Sequence, residues 1–120
     1  MSNLPQPIPN TSTVLIATSE NIAGMHIVET FGVVRGSTVR ARNVGHDLLA
    51  GWRNITGGEI SSYTGLLAQS REQALDRMRL EAAQLGANAV IAVRFTTSAI
   101  MQGAAEILVY GTAVRIEPAR

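Results

Sequence analysis

The sequence predicts an α+β domain in which one long and one short helix pack on an antiparallel sheet. Three observations point there. Short β-branched runs of alternating polarity lie towards both ends of the chain, a long stretch with helical apolar spacing lies between them, and a glycine–asparagine corner separates that helix from the following strand. The 120 residues suit a single domain. Since 46% are hydrophobic and only 4% aromatic, the core must be built from Val, Ile, Leu and Ala.

Residues 1–12 read as a flexible arm, because Pro5, Pro7 and Pro9 deny it both helix and central strand. The domain is expected to run over residues 13–117, with 118–120 as a tail. Thr13 to Thr18 is a short β-branched run and a predicted strand, and Ser19 to Gly24 a connection. Met25 to Arg35 alternates with apolar residues on both faces, as a strand covered on each side would. Gly36-Ser37 is expected to turn the chain into Thr38 to Arg42, where Thr38, Arg40 and Arg42 share one face. Asn43 can cap a short helix carrying Leu48, Trp52 and Ile55, which Thr56-Gly57-Gly58 ends.

The longest helix is predicted from about Tyr63 to Leu85. Leu67, Ala74, Leu75, Met78, Ala82 and Leu85 fall in one apolar sector. Gly86 supplies a left-handed C-terminal cap and Asn88 leads into a strand. Ala89 to Thr97 and Glu106 to Glu117 then form an antiparallel hairpin around Gln102-Gly103. The predicted order is β-β(-β)-α-α-β-β. Arg71 stands in line with Leu67, Leu75 and Met78, where an isolated cation is costly; a carboxylate such as Glu59, or a subunit boundary, is expected to receive it unless the side chain snorkels to water.

Composition removes several functions. A net charge of +1 does not suit a dedicated polyanion binder, and nucleic acid is not an expected partner even though Arg40 and Arg42 share a strand face. The absence of cysteine removes disulfides, thiolate metal sites and cysteine nucleophiles. The N-terminus lacks the order of a signal peptide, and no apolar run is long enough to span a bilayer, so a cytoplasmic protein without a membrane partner is expected.

The segment from Thr38 to Glu59 concentrates arginine, asparagine and glycine between apolar strands, a composition suited to an interface or a ligand. With its neighbours it carries an ordered run of motifs. Phe31-Gly32-Val33-Val34-x-Gly36 is followed by Asn43 with Asp47, Arg53-Asn54-Ile55-x-Gly57-Gly58, Tyr63 and Arg71-Glu72-x-Ala74. Leu85-Gly86-Ala87-Asn88-Ala89-Val90, Arg94-Phe95 and Gly111-Thr112-Ala113-Val114 complete it. In these residues the chain resembles the YbjQ-like family, small bacterial and archaeal proteins labelled "putative heavy-metal-binding". The resemblance covers about Thr13 to Glu117. It implies a dodecin-like subunit that assembles as a ring-shaped homopentamer, and it implies no established activity.

The residues themselves support the metal label weakly. Without cysteine, soft metals would have only methionine and the histidines His26 and His46, and these show no helical i, i+3 or i+4 pairing. A metal ion would have to be held by donors shared between subunits. Ser61 and Ser62 follow Glu59 without the elbow that presents a nucleophile. Glu59 is the best placed candidate base, and a small enzyme acting on an anionic substrate at the arginine-rich Gly-Gly turn is one alternative reading; there, Glu59→Gln would abolish turnover and spare assembly. Thr56-Gly57-Gly58 could instead form a nest of N–H groups for a small anion, with charge from Arg40, Arg42 and Arg53, or could simply be a tight turn. The reading preferred here is a homo-oligomeric binding or structural protein with polar pockets between subunits. Arg40, Arg42, Asn43, Asp47, Arg53, Asn54, Gly57, Gly58, Glu59 and Arg71 are the ligand or interface candidates.

Overall fold

The computed structural model of the chain describes residues 11–41, 57–101 and 104–120; at 12, 41, 57–64 and 66 the description is of backbone alone. A 3-10 turn over Thr11–Thr13 leads into β1 (Leu15–Ile16), β2 (Met25–Ala41), α1 (Gly57–Gln84), β3 (Ala89–Met101) and β4 (Ala104–Pro118). The strands form one sheet in the order β1-β3-β4-β2. This is an α+β architecture, as the patterning predicts, but the sheet is mixed rather than wholly antiparallel. β1 runs parallel to β3, with Leu15 beside Ala89 and Ile16 beside Val90. Alternation reveals that a segment is extended and carries no information on its direction, so the two-residue β1 gave no warning of this.

β2 is a single strand of 17 residues. The expected turn at Gly36-Ser37 does not exist; both residues stay in register with β4, opposite Val109 and Leu108. Gly36 is there because α1 lies directly on the strand. A Cβ at that position would come within 2.0 Å of the Ala74 carbonyl oxygen and 2.6 Å of the Met78 nitrogen. The helix makes this approach with a narrow stripe: Ser70, Ala74, Met78 and Ala82 are all fully buried and recur every fourth residue. Around them Val34, Val90, Val93, Ile107, Val109 and Ala113 close the main core. A second, smaller cluster of Ala89, Ile91, Val114 and Ile116 occupies the opposite face, covered by Ile22 and Met25.

Gly57 and Gly58 belong to α1 and do not divide two helices. The predicted short helix over Asn43 to Ile55 lies outside the described residues. The far end of α1 follows expectation. Gly86 is left-handed at φ 92°, and Ala87 N–H donates to the Ala82 carbonyl at 3.0 Å. Asn88 then stitches helix end to sheet: its side-chain amide donates to the Ile116 carbonyl at 3.0 Å and its Oδ1 accepts from the Ile116 N–H at 2.8 Å. The glycine–asparagine corner thus has a structural purpose. Among the described residues, no helix is long and apolar enough to cross a membrane.

Candidate functional site

The predicted basic face of β2 is turned towards α1. Thr38 is buried and its hydroxyl donates to the Ser70 carbonyl at 3.2 Å. Arg40, half-buried, donates to the Gln73 side-chain carbonyl and to the carbonyl of Val39. From the helix side, Arg77 donates to the Ser37 carbonyl. These bonds make the seam between strand and helix polar. Among the described residues Arg40 Nε is buried without a hydrogen-bond partner, a situation that favours an acceptor beside it.

Arg42, Asn43, Asp47, Arg53, Asn54 and His46 lie outside the described residues, as do the side chains of Gly57 to Glu59. Arg71 is exposed and makes no ion pair among the described residues. The stripe that meets the sheet is centred on Ser70 and Ala74, and a helix turns about 100° per residue, so Arg71 falls beside the stripe rather than within it. The burial expected for it is therefore absent in the isolated chain.

The structure adds residues that the sequence did not single out as site candidates, although Arg94 stands in the motif run. On the sheet face away from α1, Arg35 of β2 stands opposite Tyr110 of β4, and Tyr110 opposite Arg94 of β3. A bulge produces this row. Between Ile91 and Arg94 the β3 ladder shifts register, with Ala92 left-handed at φ 53° and its N–H donating to the Ser19 carbonyl at 2.8 Å. The extra residue turns Val93 into the main core and Arg94 to the open side. Strict alternation would have placed Arg94 with Val90, facing the helix, which is why the pattern gave no signal.

Metal donors are sparse. His26 is exposed on β2, in register with Glu117. Among the described residues, no group of three His, Cys, Asp or Glu side chains comes together. With no cysteine in the chain, the donors described do not fit a soft heavy metal held within one subunit.

Comparison with known proteins identifies the family. A family model described as "Putative heavy-metal-binding" matches residues 14–117. A UPF0145 protein of Thermus thermophilus is 55% identical over 107 residues, covering 89% of this chain and 94% of its own. A UPF0145 protein of Halorubrum lacusprofundi is 58% identical over 101 residues, covering 84% and 97%. A crystal structure from Pediococcus pentosaceus, of unknown function and assigned to the DUF74 family, superposes with a TM-score of 0.57 at 18% identity over 87% of this chain and 98% of that one, a likeness of fold. With the matched model running through every described strand and the helix, the chain belongs to the YbjQ-like, UPF0145 family of uncharacterised proteins labelled "putative heavy-metal-binding".

Proposed function

We propose that this chain is the subunit of a homo-oligomeric binding or structural protein, a closed ring and by family resemblance a pentamer, with polar pockets between subunits. The observation that carries the reading is the bare edge of β3. Among the described residues no strand flanks it on the β1 side beyond Val93, and from Phe95 to Ala105 the sequence has no charge and no proline. Phe95, Ile100 and Met101 are exposed at 46%, 54% and 68%. Soluble monomers protect such edges with charges, prolines or cover, because unpaired N–H and C=O groups recruit another strand. β2 offers a second edge at the opposite side of the same sheet. Two unlike edges on one subunit are what a head-to-tail ring requires.

In this reading Arg40, with its unspent Nε, and the arginine–asparagine–glycine segment that follows it line pockets closed by the neighbouring subunit. Arg71, exposed in the isolated chain, meets a neighbour's carboxylate. Light scattering on size-separated protein tests this. Wild type elutes as an assembly, while Ile100→Lys and Arg71→Glu shift it towards monomer. A wild-type monomer would sink the reading, and an unchanged assembly in Arg71→Glu would remove Arg71 from the interface.

The pairing of His26 with Glu117 favours a second reading, a metal ion completed by donors from another subunit. Metal content per subunit after dialysis against zinc or copper then falls in His26→Ala. Equal content in both proteins would end that reading for His26.

A further inference from the structure

The Arg35–Tyr110–Arg94 row has properties that neither the core nor the strand edges require. Adjacent strands lie about 4.8 Å apart, so the two arginines start about 10 Å from each other with the phenol ring between them. Tyr110 is 40% exposed, and both arginines are exposed. Arg94 spends Nη1 on the carbonyls of Thr18 and Val93, at 2.8 Å each, which steadies the side chain and leaves Nε and Nη2 without partners among the described residues. Arg35 makes no hydrogen bond or ion pair among them. Two other arginines are neutralised: Arg115 meets Glu29 at 3.5 Å and Glu117 at 3.2 Å, and Arg79 meets Asp76 at 3.0 Å.

The rows on either side contribute hydroxyls and no carboxylate. Thr112 stands in the row of Val33 and Ile91, and Ser37 and Thr96 flank Leu108. The nearest acid in register on this face is Glu106, two rows away. The patch therefore presents two cations and several donors around one flat ring. Two like charges on one face, without a counter-ion among the described residues, are better accommodated when an anion binds beside them. A guanidinium fork holds two oxygens of a phosphate or carboxylate at once, and an exposed tyrosine ring accepts a planar group on its face.

We propose that the Arg35–Tyr110–Arg94 row binds a small organic anion carrying a planar ring, with the anionic group on Arg35 and the ring on Tyr110. Arg94 adds charge from a fixed position on the far side of the ring. The site lies within one subunit and does not depend on how many subunits assemble.

Calorimetric titration of the full-length protein with AMP tests it, with adenosine, inorganic phosphate and benzoate as companion probes. AMP binds more tightly than adenosine, which lacks the anion, and than phosphate, which lacks the ring. Benzoate binding as tightly as AMP would identify a carboxylate as sufficient. Arg35→Gln and Tyr110→Leu each weaken AMP binding by about tenfold or more, and Arg35→Lys recovers only part, because an ammonium lacks the planar fork. Arg79→Gln, on the helix and outside every proposed site, leaves binding unchanged. The proposal is overturned if neither AMP nor benzoate binds, if Arg35→Gln binds AMP like wild type, or if Arg79→Gln loses as much affinity. Subunit number is measured for the same variants: dissociation caused by Arg35→Gln or Tyr110→Leu would make the row a contact between copies, and that too overturns it.

Discussion

Gly36, Gly86 and Asn88 show what single residues of the motif run do. Gly36 is needed because the helix backbone occupies the space of its Cβ, so Gly36→Ala is expected to cost about 1–3 kcal/mol or more. Gly65 is the useful contrast. It sits exposed in α1 with no other atom within 4 Å of a Cβ, and Gly65→Ala is expected to stabilise by about 0.5–1 kcal/mol through helix propensity. Urea unfolding of both variants checks the pair, and equal shifts of the midpoints would contradict the packing described. Asn88→Ala removes both side-chain bonds to the Ile116 backbone, in a part-buried setting, and should cost about 1–3 kcal/mol by the same measurement. The sequence shows Gly86 as a cap because a left-handed position after a helix favours glycine. Gly36 reads wrongly as a turn because glycine also marks close approach, and only the partner backbone distinguishes the two uses. Arg71 was misplaced by an analogous ambiguity: an apolar sector drawn through Leu67, Leu75 and Met78 includes it, while the stripe in contact with the sheet uses the smaller Ser70 and Ala74.

At the scale of elements, the existence of helix and strands is legible because their apolar periods differ, 3.6 against 2. Direction and register are not. The parallel β1 and the register shifts in β2 and β3 leave no trace in composition. The shift at Ala92 has the largest consequence, because it aims Arg94 at the open face and so makes the anion-binding row. Removing the extra residue should therefore move Arg94 to the helix side and abolish AMP binding. An Ala92 deletion that still folds and binds AMP as before would contradict this account of the row. The β3 edge makes a separate prediction. Met101→Lys places a charge where Ile100 and Met101 stand exposed, and it should weaken assembly while leaving the main core, which does not include Met101, intact by circular dichroism.

The whole molecule is extended for its size. Its radius of gyration is 18.3 Å, with extents of 58 × 40 × 25 Å, where a compact chain of this length would have about 14 Å. The excess follows the long axis of β2, β3 and β4, whose outer half exposes β3 from Arg94 onward. In the proposed assembly such a subunit would bury its exposed apolar surface against copies of itself, and the pockets proposed around Arg40 would be closed there. Family membership was legible from the ordered motifs, which run from about Thr13 to Glu117, as the matched family model runs over residues 14–117. The ligand was not legible, because Arg35, Tyr110 and Arg94 lie far apart in the sequence and come together only in the folded sheet. Native mass spectrometry of untagged protein, purified without chelator, tests the central claim most directly. The account predicts a single closed assembly, a pentamer, with no free monomer at micromolar concentration; a monomer as the dominant species would contradict it.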